Sequence, residues 1–167
     1  MQQKHNDKIY GLNILGDIYR SFELAEKYGV SFIQIDSVCG HLEPDLDEEY
    51  ESMLKFLRRD SDCIVLGGVR FKYQPVNSGR TLTEDLKIGM GRCDAVVCTG
   101  EGTGLATPMD KVEKFRQILG DFPVIIGAGV TIDMVEACRR NSDGVIVGSW
   151  FKDNHRAEYS VNEDNVK

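Results

Sequence analysis

Two apolar runs near the C-terminal end of this 167-residue chain finish in glycine-rich turns. Pro123-Val124-Ile125-Ile126-Gly127 leads into Ala128-Gly129-Val130-Thr131, and Gly144-Val145-Ile146-Val147-Gly148 leads into Ser149-Trp150-Phe151. Glycine lets backbone N–H groups reach a phosphate oxygen with no Cβ in the way. A helix N-terminus behind such a turn adds partial positive charge. Turns of this kind, one helix apart, recur after the last two strands of phosphate-binding barrels. The plainer reading is that Gly127, Gly129 and Gly148 only make tight strand–helix connections; their tandem placement, with Ser149 beside them, favours phosphate.

A second cluster, Cys98-Thr99-Gly100-Glu101-Gly102-Thr103-Gly104, follows the apolar run Ala95-Val96-Val97. It is a flexible, hydroxyl-bearing loop at a strand's C-terminal end, where α/β proteins bind ligands. No Gly-Lys-Ser/Thr follows, so it is not a Walker A loop, and it is not a clean G-x-G-x-x-G. Thr99, Gly100 and Thr103 are its candidate ligand contacts. Asn13, Asp36 and Lys72 fall at or just after the ends of other runs. Each can equally be solvated or salt-bridged structure, but barrel strand ends converge on one face. There Asp36 suits general acid or base work, Lys72 suits an anion contact or an electrophile, and Asn13 suits substrate binding. The acidic run Glu43, Asp45, Asp47, Glu48, Glu49 reads as a helix N-terminal charge pattern.

The five cysteines, Cys39, Cys63, Cys93, Cys98 and Cys138, are odd in number, widely spaced and free of C-x-x-C. They read as reduced structural thiols. Cys39-Gly40-His41 offers two metal ligands, but a lone Cys-x-His lacks the further ligands that zinc requires. Neither a metal nor a cofactor is expected.

The elements that must position these residues alternate along the whole chain. β-rich runs fall at Lys8–Leu15, Ser31–Val38, Cys63–Phe71, Asp94–Thr99, Phe122–Gly127 and Gly144–Gly148. Their continuous Val and Ile content marks strands buried on both faces of a parallel sheet. Amphipathic helices are predicted after Asp17, after Asp45, after Thr83 as a cap, after Thr107-Pro108, and after Thr131. The tail after Lys152 is polar and is expected to wrap the surface or fray. Repeated βα units give a doubly wound sheet or a barrel, and an eightfold barrel needs ~250 residues.

Composition bounds the partners. Twenty-seven acidic against twenty basic side chains give a net charge of −7, with 41% apolar and 28% charged residues. No clustered basic face marks a nucleic-acid binder. No run approaches the ~20 apolar residues that span a bilayer. The segment Met1 to Lys8 lacks the apolar core of a signal peptide, so a cytoplasmic protein is expected.

In the order of its motifs the chain resembles the BtpA/SgcQ family of TIM-barrel proteins, over roughly residues 8 to 167. The resemblance rests on GLNIL, GVRFKYQPV, DAVVCTGEGTG, PVIIGAGVT, SDGVIVGSWFK and the closing VNEDNV. It implies a (β/α)8 fold and a phosphorylated small-molecule ligand, with Asn13, Lys72, Thr99, Thr103, Gly127, Gly129 and Ser149 as pocket positions. Family members carry two further βα units before the strand that Met1 precedes here, and many have His where this chain has Tyr73. The expected architecture is therefore an α/β, TIM-barrel-like parallel sheet of about six βα units in a single partial domain over residues 1–167.

Two function classes follow. One is an enzyme acting on a sugar phosphate or nucleotide-like substrate. The other is a non-catalytic assembly or biogenesis factor, as in the family branch tied to photosystem I accumulation, or a degenerate copy that keeps only the phosphate pocket. Six parallel strands with open edges also predict a homo-oligomer, or a partner that completes the barrel.

Overall fold

The computed structural model describes residues 7–167, so residues 1–6 of the polar N-terminal segment lie outside the described residues. Six strands, β1 (Gly11–Leu12), β2 (Phe32–Cys39), β3 (Ile64–Val69), β4 (Ala95–Cys98), β5 (Val124–Ile126) and β6 (Gly144–Val145), pair in that order. All five pairings are parallel. Helices α1 (Ile18–Tyr28), α2 (Pro44–Arg59), α3 (Leu82–Met90), α4 (Met109–Leu119) and α5 (Val135–Asn141) fill the connections. Parallel neighbours need such crossovers, and a strand order without reversal is that of a barrel wall, not of a doubly wound sheet. β1 and β6 do not pair with each other among the described residues, so the wall is a half-barrel. No helix among the described residues is long and apolar enough to cross a membrane.

The core lies between sheet and helices. Alternation turns Ile33 and Ile35 of β2, Val65 and Val69 of β3, Val96 and Cys98 of β4, and Val124 and Ile126 of β5 to one face. There they meet Phe22 of α1, Leu54 of α2, Leu86 of α3 and Phe115 of α4. The opposite face carries Gln34, Asp36, Leu66 and Ile125, all half-buried, and Ile64, which is exposed.

Several boundaries differ from the sequence expectation, for local reasons. The run Lys8–Leu15 pairs as a strand only at Gly11–Leu12, because the chain turns at Gly16 (φ +73°) so that Asp17 can cap α1, accepting from Arg20 N at 2.9 Å. The run Gly144–Gly148 is a strand only at Gly144–Val145, since a 3-10 turn, Ser149–Phe151, starts at its end. Thr81, not Thr83, caps α3: its hydroxyl accepts from Glu84 N while the Glu84 carboxylate accepts from Thr81 N at 2.7 Å, a reciprocal capping box. Thr107 does not cap α4; its hydroxyl donates to Ala128 O at 3.0 Å. The tail folds back on itself through an antiparallel bridge between Lys152 and Val161.

The acidic run is only partly a dipole pattern. Asp45 and Asp47 do stand in the first turn of α2, but Asp47 is just 2% exposed. It accepts from Arg92 at 2.7 Å and from Arg80 at 2.7 Å. Asp85 of α3, fully buried, accepts from Arg70 at 2.8 Å and from Arg80 at 3.0 Å. Arg92 also reaches Glu51 at 2.8 Å and the Val38 carbonyl at 3.0 Å. Three arginines and three carboxylates thus balance in one network.

Burial alone would raise the Asp47 pKa, but the bonds from Arg92 and Arg80 outweigh it and hold the group below the usual aspartate value. Bonds from Arg92 and Lys55 hold Glu51 low as well. A carboxylate whose folded pKa is depressed stabilises the fold above its unfolded value, and that contribution is lost as pH falls through the folded one. His41 is lowered by burial, so the folded state resists its protonation. Unfolding free energy should therefore begin to fall below pH ~6.5 as the unfolded chain protonates this histidine, and fall more steeply below pH ~4. Urea titrations across pH check this, and His41→Phe should flatten the first limb. Asp47→Ala should cost about 3–5 kcal/mol at neutral pH, because it strands buried guanidinium charge.

Candidate functional site

The residues singled out in the sequence all stand at or beyond the C-terminal half of their strands, in three groups. At β1 and β2, Asn13 Nδ2 donates to Asp36 Oδ1 at 3.0 Å, and Gln34 Nε2 approaches the same oxygen at 3.4 Å. At β3 and β4, Lys72 N donates to Thr99 Oγ1 at 3.0 Å. At β4 to β6, the loop Thr99–Gly104 packs against the turn Gly127–Gly129 and against Ser149. Among the described residues no hydrogen bond or ion pair joins Asp36 to Lys72, so these two are not brought together as a pair. The Lys72 ammonium lies over the Phe71 ring, 5.6 Å from its centroid.

The glycines earn their positions by close approach. A Cβ at Gly129 would stand 2.3 Å from the Leu105 backbone, and its φ of +63° is left-handed. One at Gly127 would lie 2.5 Å from Val97 Cγ1, and one at Gly100 2.9 Å from Ala106 O. The Gly129–Leu105 approach and the Thr107–Ala128 bond together join the β4–α4 and β5–α5 loops. Gly148 is different: nothing lies within 4 Å of a Cβ there. Ser149 sits beside Gly104, with its Oγ 3.7 Å from where a Gly104 Cβ would be. The helices behind both turns are shorter than expected: a 3-10 turn, Ile132–Met134, precedes the seven-residue α5, and only the 3-10 turn Ser149–Phe151 follows Gly148. Whatever anion affinity the turns have must come from local N–H groups more than from a macrodipole.

Sequence reasoning missed three residues here. Tyr73 adopts a left-handed φ of 62°, and its hydroxyl accepts from Thr103 N at 2.7 Å, so it bridges the β3 and β4 loops. That bond, with the Lys72 charge beside it, lowers the Tyr73 pKa. Arg70 is also left-handed, at φ 48°. Non-glycine residues held there cost roughly 1–3 kcal/mol each and persist only where surroundings enforce them. Lys111 donates to Thr99 O at 2.6 Å. A lysine in the first turn of a helix opposes the dipole, and that local mismatch was the available signal for it.

Burial disfavours the thiolate at every cysteine. All five cysteines are unbridged. Burial pushes Cys39 up to about 11, and Cys93 and Cys98 up to about 12. Cys39 Sγ lies 3.7 Å from Asp85 Oδ1 and 3.6 Å from Arg80 Nη2, whereas His41 is edge-on to Tyr50 at 5.3 Å. Cys39 and His41 thus have different partners, and among the described residues no group of three or more His, Cys, Asp or Glu is placed to hold a metal.

The BtpA family pattern matches residues 6–167. The chain belongs to the BtpA family. Similar curated proteins include uncharacterized proteins of Thermococcus kodakarensis, 28% identical over 163 residues, and of Methanocaldococcus jannaschii, 24% identical over 164. Each match takes in 94% of this chain and 62% of the relative, so the chain spans under two thirds of these relatives' length. Among solved structures, an archaeal fructose 1,6-bisphosphate aldolase aligns at TM-score 0.53 and 15% identity, over 81% of this chain and 56% of the aldolase. A Schiff base-forming fructose-1,6-bisphosphate aldolase aligns at 0.53 and 16%, with the same coverage. These neighbours establish the TIM-barrel type of the fold.

The glycine contacts give a direct contrast. Gly129→Ala should lower stability by about 1–3 kcal/mol, through the left-handed φ and the collision with Leu105. Gly148→Ala should stay within ~0.5 kcal/mol of wild type. Thermal melts of the two variants check the pair.

Proposed function

We propose that this chain binds a phosphorylated small molecule, a sugar phosphate or nucleotide-like compound, at its strand C-terminal ends. The phosphate sits at the turns Gly127–Gly129 and Gly148–Ser149 with the Thr99–Thr103 loop, Lys72 holds or polarises the substrate, Asn13 contacts it, and Asp36 serves as acid or base. The observation that carries this reading is the backbone-to-backbone lock of Gly129 on Leu105, which joins two glycine-rich loops at the C-terminal ends of neighbouring parallel strands. The fructose 1,6-bisphosphate named for both aldolase neighbours supports the ligand class.

Calorimetry with ribose 5-phosphate, fructose 1,6-bisphosphate and inorganic phosphate tests it. Wild type should bind at least one of them. Gly148→Asp, which adds a negative charge where no atom obstructs it, should lose that binding while melting normally. If no phosphorylated compound binds wild type, the proposal fails. Turnover that disappears in Asp36→Ala or Lys72→Ala would mark an enzyme; tight binding without turnover would mark a non-catalytic factor.

We propose further that the chain associates with a second copy or a partner. β1 and β6 end the sheet without pairing with each other among the described residues, and Val145 of β6 is 42% exposed; open edges of this kind invite pairing. Sedimentation at micromolar concentration should show a dimer or larger species; a sharp, cooperatively melting monomer would refute this.

A further inference from the structure

A cleft of ≈260 Å³ opens beside the ends of β1 and β2, with Asn13, Gln34, Asp36, Ser37, His41 and Gln74 in its lining. Two of these residues hold polar atoms with nothing to bind. Ser37 is only 7% exposed, and its Oγ has no hydrogen-bond partner among the described residues. His41 Nδ1 is in the same position. Both atoms are closed off from bulk water. The neighbouring hydroxyl does not help: Tyr50 donates to the Ser37 carbonyl at 2.7 Å. An unsatisfied buried polar atom costs roughly 1–3 kcal/mol, and both residues belong to the lining of this cleft, so an occupant that draws either side chain toward it would relieve that cost.

The chemistry of the lining restricts that occupant. It contains no lysine or arginine, so nothing here compensates a phosphate or a carboxylate. Its one formal charge is Asp36, and both bonds to that carboxylate land on Oδ1. Burial lowers the His41 pKa and so favours the neutral ring, which offers one N–H and one lone pair. The Ser37 hydroxyl also donates and accepts. A ligand hydroxyl matches either role. An ammonium only donates, so it meets His41 Nδ1 solely in the tautomer that carries the proton on the other nitrogen, whereas a hydroxyl meets both tautomers. The volume lies just under the ~300 Å³ at which small-molecule pockets begin, which suits one sugar-sized moiety.

We infer that this cleft binds the uncharged vicinal hydroxyls of a sugar ring, through Ser37, His41 and Asp36. The inference deepens the phosphorylated-ligand reading, on which it rests for the nature of the whole ligand, by giving the sugar moiety a site separate from the glycine turns.

NMR titrations of the full chain with D-ribose and, separately, with inorganic phosphate test it. Ribose should shift the Ser37 amide and the His41 ring signals saturably, and phosphate should not. Ser37→Ala should abolish the ribose shifts while the melting temperature holds or rises, because alanine removes an unsatisfied hydroxyl. His41→Phe, which keeps the edge contact with Tyr50, should weaken ribose binding about tenfold. The inference is overturned if ribose leaves Ser37 and His41 unmoved, if its shifts persist in Ser37→Ala, or if ethanolamine produces them in its place. Ribose binding here, combined with the failure of inorganic phosphate and both phosphorylated sugars to bind by calorimetry, would refute the phosphate reading and uphold this one.

Discussion

Guanidinium charge beneath the β2 and β3 ends is the constraint on which the site depends. Arg92 is 4% exposed, and Asp47 and Asp85 are 2% and 0% exposed. Such groups are tolerated out of water only when paired and hydrogen-bonded. The pairing is distributed over chain segments that would otherwise be free to move apart: Asp47 comes from α2, Asp85 from α3, Arg70 from the end of β3 and Arg80 from the turn before α3. Both ends of the loop 70–80 are therefore bound to one carboxylate, Asp85. Its later part is bound as well, where Asn77 N and Ser78 N donate to Gly40 O at 3.0 and 3.3 Å. A loop fastened at both ends has little freedom left for the residues it carries, and those residues include Lys72, Tyr73 and Gln74.

That fastening explains how the loop sustains its strain. Arg70 and Tyr73 both occupy left-handed backbone conformations. The ion network holds the first, and the Thr103 N–H bond to the phenol holds the second. Through Tyr73, and through the bond from Lys72 N to Thr99, the pinned loop meets a second rigid unit: the β4 and β5 loops locked by Gly129, Leu105 and the Thr107–Ala128 bond. At the C-terminal face these two loop units are joined by two hydrogen bonds, above the β3–β4 strand pairing on which both stand.

The parts of this architecture that come from periodicity were legible in the sequence, and the parts that come from distant pairing were not. Runs such as PVIIG and GVIVG announce parallel strands because they read as continuously apolar, and the six-unit arc follows from their number and spacing, although β6 itself is not buried in the structure. Strand ends are less legible: Lys8–Leu15 reads as eight strand residues, and Gly16 and Asp17 cut it to two. The glycine turns were visible as composition, but which glycines are indispensable was not. Gly129 and Gly148 look alike in sequence and differ wholly in what surrounds them. Asp47 looked like one member of a helix N-terminal charge pattern, because its arginines lie 33 and 45 residues away. Ser37 gave no signal either, and His41 stood out only as a metal ligand beside Cys39, since a buried atom without a partner is a property of packing.

The net charge of −7 bears on how an anionic ligand could be held at all. At physiological ionic strength, fields from charges more than about 8 Å away are largely screened, so the overall sign sets a weak long-range repulsion and leaves the outcome to nearby groups. Close to Thr99, two lysines lean the other way: Lys72 follows β3, and Lys111 donates to the Thr99 carbonyl. The short helices behind Gly129 and Gly148 add little dipole, so backbone N–H groups must supply the remaining attraction, and glycine is what lets them be approached. The cleft under Asn13 and Asp36 lacks any cation in its lining. An extended ligand with a charged end and a hydroxyl-bearing end would therefore meet opposite preferences along the same face of the sheet, and that asymmetry fixes its direction without either end needing to bind strongly.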